Sequence, residues 1–295
     1  MPAELGVIYR RMPILNSATA QQVGRLLELF PIANIRDRWP GLKGSKDALC
    51  LSIAQTGDIE GISTFVNETL TCCKQHVYVL SHEKTLKALP NSVVAGEKVL
   101  GTAAAHALYL IRAVYKVYLS DPLEEVSLEF LWPLRLELLP EHLVARFVVL
   151  EKGLGSYFNR PYHLGSRSVE EDAVLKGLNK DGKLIPCDLH KGIKKLWAID
   201  FMDCFKARYR KPMSVASEDM DGEKGIKKNY PELYAVLRKS TLLSALFEIE
   251  DPKSDSKSTV SVLSAEPLVG FLGFPRYTDK KGDTDAVLDK VLANN

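Results

Sequence analysis

The sequence predicts an α+β fold, with a helical N-terminal unit (residues 1–90) followed by a mixed region (residues 91–295) that carries a small antiparallel sheet and flanking helices. Two observations predict it. Apolar residues recur at helical spacing through the first ninety positions, and from residue 125 onward short alternating segments are interleaved with further helical ones. At 295 residues and 46% hydrophobic, the chain is long enough for one large domain or two of ordinary size.

The elements follow in order. Thr19-Ala20-Gln21-Gln22 has the T-x-x-Q pattern of a capping box, and Val23, Leu26, Leu27 and Phe30 follow at i, i+3, i+4, i+7. A helix therefore starts near Thr19 and is closed by Pro31. The turn Pro40-Gly41-Leu42-Lys43-Gly44 leads to Ser45 as N-cap of a helix that stops before Gly57, and Asp58 caps a third with Ile59, Ile62, Val66, Leu70 and Cys73 on one face. After Pro90-Asn91 the Ala-rich stretch Val99 to Tyr118 reads as a buried helix. Glu125 to Phe130, Leu134 to Leu139 and Leu143 to Leu150 read as strands, with Pro140-Glu141 as a hairpin turn. Leu134, Leu136 and Leu138 alternate with Arg135 and Glu137, the pattern of a strand with one wet face. Lys152 to Ser168 reads as a loop. Helices are expected over about Val169 to Leu178, His190 to Tyr209 and Pro231 to Phe247, and strands over Ser258 to Leu263 and Leu268 to Phe274. The polar runs Ser214 to Gly225 and Glu250 to Lys257 read as mobile loops.

Charge and cysteine usage bound the function. Lys plus Arg number 39 against 37 Asp plus Glu, so no large net field draws nucleic acid or membrane to the whole molecule. Any basic surface is local. The five cysteines include no C-x-x-C pair, which argues against a disulfide framework and a thiolate zinc site and favours a reducing compartment. The N-terminal stretch Met1 to Pro13 has no apolar h-region of signal-peptide length, so secretion is not expected, and Val99 to Leu119 is interrupted by His106, Arg112 and Lys116, so no membrane span is expected. The expected location is intracellular, cytoplasmic or nuclear.

Three local features could carry binding. In Phe30 to Ala54, the turn Gly41-Leu42-Lys43-Gly44-Ser45-Lys46 followed by Asp47-Ala48-Leu49 resembles the helix-extension-helix modules typified by SAP domains, over residues 19 to 56. The resemblance implies DNA binding, with Arg36, Arg38, Lys43 and Lys46 as phosphate contacts. An ordinary helical hairpin with a basic loop accounts for the same residues. A second segment, Lys191 to Lys211, carries Lys191, Lys194, Lys195, Lys206, Arg208, Arg210 and Lys211 against Asp200 and Asp203, a local charge of +5. It reads either as a phosphate contact or as a solvated helix face whose cationic end suits the helix dipole. The third, Tyr157 to Arg167, crowds Tyr157, Phe158, Arg160, Tyr162, His163 and Arg167 into one loop, a composition that suits stacking of single strands and equally a loop plugging a core.

Enzyme signatures are sparse. There is no G-x-S-x-G, H-E-x-x-H or P-loop, and no pair among the six histidines has ligand spacing on a helix. His106 reads as a buried imidazole, and Cys72-Cys73 as apolar filler. Asp200 with Asp203, and Glu248 with Glu250 and Asp251, are compatible with a divalent-metal site, but no convergent third ligand is evident. The sequence therefore points to a non-catalytic intracellular protein, without cofactor or metal, that binds DNA or RNA or assembles with proteins that do. The alternatives are a protein–protein interaction subunit or homo-oligomer, and a metal-dependent hydrolase or nuclease.

Overall fold

A computed structural model describes residues 74–82, 86–90, 93, 97–103, 105–149, 161–180, 183–212, 214–219, 225–250, 260–275 and 283–295. The described chain is mainly β, which overturns the α+β expectation. Twelve strands form one sheet in which every pairing is antiparallel, and the helices among the described residues are short.

The strands are β1 (Gln75–Ser81), β2 (Glu97–Ala103), β3 (His106–Leu119), β4 (Glu124–Leu138), β5 (His142–Val148), β6 (Tyr162–Arg167), β7 (Ile185–Pro186), β8 (Met202–Lys211), β9 (Ser214–Asp219), β10 (Leu242–Glu250), β11 (Val260–Glu266) and β12 (Phe271–Phe274). The helices are α1 (Glu171–Leu178), α2 (His190–Ala198), α3 (Ile226–Asn229), α4 (Pro231–Lys239) and α5 (Asp283–Ala293). The spatial order is β2-β3-β4-β5-β1-β12-β11-β10-β8-β9, with β6 added to β3 and β7 to β1. The helices expected before residue 74 lie outside the described residues. The last part of the expected helical unit is β1, which bonds to β5 on one side and to β12 on the other.

Alternation along β1 explains the layering. Val77 and Val79 face one core while Tyr78 and Leu80 face another, so the sheet is buried on both sides at its middle. The first core joins β8, β10, β11 and β12 to Ile193, Leu196 and Trp197 of α2, Leu237 of α4, and Val287, Leu288 and Val291 of α5. The second joins β3, β4 and β5 to Val174 of α1. Gly192 lets α2 and α5 touch, since a Cβ there would stand 2.2 Å from the Val291 carbonyl oxygen.

The expected Ala-rich helix, Val99 to Tyr118, is instead a hairpin of β2 and β3. Strand β3 then pairs with β4 from His106↔Glu137 to Leu119↔Glu124. Leu108, Tyr109, Leu110 and Ile111 are all buried, so this strand has two dry faces and shows no alternation. Its Tyr, Val and Ile content favours the strand. The expected helix His190 to Tyr209 ends at Ala198. The chain turns through Asp200 (φ 60°), and Met202, Cys204, Ala207 and Tyr209 then bury themselves in strand β8. Likewise Pro231 to Phe247 divides into α4 and β10, the loop expected at Ser214 begins as β9, and the described end of the aromatic loop is β6. Helix α1, the turn at Pro140, and late strands close to those expected are present. Among the described residues, no helix is long and apolar enough to cross a membrane.

Candidate functional site

Two features of one sheet face stand out. The first is the cationic strand β8. On its outer face Lys206, Arg208 and Arg210 alternate with buried Ala207 and Tyr209, and all three are exposed. The alternation reaches this phase because Phe205 is bulged out of register with β10. Arg208 has Ser217 of β9 on one side and Ser244 of β10 on the other. Neither Arg208 nor Arg210 forms an ion pair among the described residues. The Arg210 amide donates to Thr241 O (2.9 Å), and Lys194 Nζ donates to Ser240 O (2.7 Å). The loop after α4 thus brings Lys194, Arg238 and Lys239 toward the Arg210 end of β8. Burial pulls the Lys194 ammonium below the usual lysine range.

The other residues expected to contact nucleic acid are distributed differently. Lys195 is exposed on α2. Arg167 on β6 is committed to packing: its guanidinium lies 3.9 Å from the Trp132 ring centroid and pairs with Glu170 at 2.7 Å. Arg36, Arg38, Lys43, Lys46 and Arg160, and with them the SAP-like segment, lie outside the described residues. The cationic helix end expected at Lys206 to Lys211 does not exist. The C-terminal carbonyls of α2 are met instead by Lys227, whose Nζ donates to Trp197 O (3.2 Å), Ala198 O (2.7 Å) and Asp200 Oδ1 (2.6 Å).

The proposed metal carboxylates are not paired on a helix. Asp200 sits in the turn with Lys227, while Asp203 on β8 accepts from Trp197 Nε1 (2.9 Å), Cys204 N (2.8 Å) and Lys227 N (3.1 Å). Among the described residues, no three His, Cys, Asp or Glu side chains converge as a metal site. Burial raises the Cys187 thiol and pushes Cys204 up to about 12, so neither is a thiolate at neutral pH.

The second feature is a cleft of about 610 Å³ between α1 and β1, absent from the sequence reading. Its polar centre is Glu171 at the start of α1. Its carboxylate meets His76 Nδ1 at 3.0 and 3.1 Å and accepts from the Tyr78 hydroxyl at 2.7 Å. Burial pushes the Tyr78 phenol up, and the Glu171 carboxylate raises it further. Burial also tends to raise Glu171, but the His76 and Tyr78 hydrogen bonds outweigh it and hold the carboxyl below the usual range. A depressed folded pKa contributes stability above the unfolded value that is lost as pH falls through the folded one. Wild-type stability is therefore expected to fall more steeply than that of Glu171→Gln below about pH 4.3. Urea midpoints across the acid range check this, and parallel profiles would contradict it.

Register places both features on one face. Lys206, Leu246, Ser264, Gly273 and His76 are successive cross-strand partners, so the cationic strand and the cleft lie four strands, or about 19 Å, apart. His76 and Glu171 are 95 residues apart in sequence, and no local spacing signals their contact. Comparison of the chain with protein-family models, curated proteins and solved structures finds no significant match.

Proposed function

We propose that the protein binds nucleic acid non-catalytically, through phosphate contacts made by the outer face of β8. The observation that carries this is the row Lys206, Arg208, Arg210, exposed at i, i+2, i+4 on one strand face. Such a row sets cations about 7 Å apart along a line, a geometry that follows an extended polyanion. Ser217 and Ser244 beside Arg208 supply hydroxyls of the kind that bond phosphate oxygens. Phosphate contacts position the strand and read little sequence, so binding is tolerant of sequence and sensitive to salt. Inside the cell the free thiols Cys187 and Cys204 stay reduced.

Arg208→Ala tests the reading. Fluorescence anisotropy with labelled single-stranded and duplex DNA and with RNA is expected to show weakening that is uniform across sequences. The slope of log affinity against log salt becomes shallower by about 1. An unchanged affinity on every probe would remove β8 from the contact.

A further inference from the structure

We propose that the cleft between α1 and β1 binds an organic cation, an ammonium or guanidinium group carried on an apolar stem. This goes beyond nucleic-acid binding, because the cleft complements the opposite charge. Its volume of about 610 Å³ lies in the range of small-ligand sites.

The floor is laid by register: Glu266, Phe271 and Tyr78 are cross-strand partners on consecutive strands, and His76 precedes Tyr78 by two residues on the same face. Three rings converge there. Phe271 lies 5.2 Å from both His76 and Tyr78, edge-on to the first and tilted against the second. Leu80, Leu175 and Leu184 supply an apolar wall.

The polar inventory decides the ligand. Glu171, Asp172 and Glu266 line the cleft, against Lys176 and His76; because His76 and Tyr78 already hold Glu171, the carboxylates facing a ligand are those of the exposed Asp172 and Glu266. The Tyr78 hydroxyl is already given to Glu171, and both ends of the Asn179 amide are used by the Leu184 backbone (2.8 Å each). What remains for a ligand is mostly acceptors and negative charge beside aromatic surface. An anion is repelled there. A cation gains both a carboxylate and a ring face, while its stem covers the leucines.

Calorimetric titration of the full chain separates the possibilities. The probes are n-hexylammonium, its neutral counterpart n-hexanol, and acetylated, amidated tripeptides with a central Lys, Arg or Ala. Hexylammonium is expected to bind at least about tenfold more tightly than hexanol. Glu266→Gln, an exposed position at the cleft, is expected to weaken the amine several-fold without changing hexanol, and Phe271→Leu to weaken it with the circular dichroism spectrum retained. Tighter binding of the Lys or Arg peptide than of the free amine assigns the site to a partner's side chain, and the reverse assigns it to a free amine. Equal binding of hexylammonium and hexanol, no binding of any cation, or indifference of the amine to Glu266→Gln would overturn the proposal.

Discussion

Replacing Arg146 with leucine is expected to lower the free energy of unfolding by about 3–5 kcal/mol. Arg146 is 1% exposed on β5, and its guanidinium gathers groups from both ends of the described chain. Nε lies 2.9 Å from Glu137 Oε1 of β4, an ion pair whose N–H is not aimed at the oxygen. Nη2 lies 2.7 Å from Asp285 Oδ1 of α5, and Nη1 donates to Gln75 Oε1 of β1 at 3.2 Å. Gln75 is itself buried and donates to Thr284 Oγ1 at 3.0 Å. Leucine leaves the Asp285 carboxylate and the Gln75 amide oxygen facing it without their cation, while Glu137 keeps Arg135, whose Nε lies 3.0 Å from Oε1. Much of the loss comes from the stranded Asp285, so adding Asp285→Asn to Arg146→Leu is expected to recover part of it. Lysine is a poor substitute, because one ammonium cannot reach three acceptors on different elements. Urea denaturation with an unchanged m value reads these differences. A loss under about 0.5 kcal/mol, the scale of ordinary surface substitutions, would show that this network does not join α5 to the sheet.

Trp197→Ala is expected to cost a comparable amount, about 3–5 kcal/mol. Its indole is fully buried where α2 meets the sheet, packed edge-on against Tyr234 of α4 at 4.8 Å and Phe247 of β10 at 5.6 Å. Truncation opens a cavity between three elements and removes the N–H that donates to Asp203 Oδ1. Oδ1 then keeps only the Cys204 and Lys227 amides, and the other Asp203 oxygen is buried without a hydrogen bond. Trp197→Phe keeps the ring contacts and loses only the donor, so its cost is expected to be about 1–3 kcal/mol. If the two variants unfold at the same denaturant concentration, the indole packing contributes little and the hydrogen bond accounts for the effect.

Much of the strand content was hidden by burial on two faces. The alternation Leu134, Leu136, Leu138 was legible because Arg135 and Glu137 occupy a partly wet face. Strand β3 has no such contrast over Leu108 to Ile111, and without contrast a buried strand and a buried helix read alike. The error at residues 190–209 was one of phase. Ile193, Leu196 and Trp197 do share a helix face, but no Pro or Gly marks the stop at Ala198. The Asp200 turn that makes it is stabilised by Lys227, 27 residues away.

The cationic residues were legible as types but not as a surface. On a helix, positions 206 and 208 point to nearly opposite sides, whereas strand β8 aligns 206, 208 and 210 on one. Arg167 shows the converse: it lies in an aromatic-rich stretch whose composition suits either stacking of single strands or a loop plugging a core, and its guanidinium stacks on Trp132. The His76, Tyr78 and Glu171 cluster joins β1 to α1 across more than 90 residues of sequence. Only the tertiary fold brings it together.

The most direct test of the β8 interface is the salt dependence of nucleic-acid affinity in wild-type protein and in the triple variant Lys206→Ala, Arg208→Ala, Arg210→Ala. Anisotropy titrations between about 50 and 200 mM salt give the slope of log affinity against log salt for each. All three positions are exposed, so the fold is expected to persist, and circular dichroism verifies it. Loss of three phosphate contacts makes the slope shallower by about 2–3. A triple variant with the wild-type slope and affinity would contradict the assignment of β8 as the phosphate-binding surface.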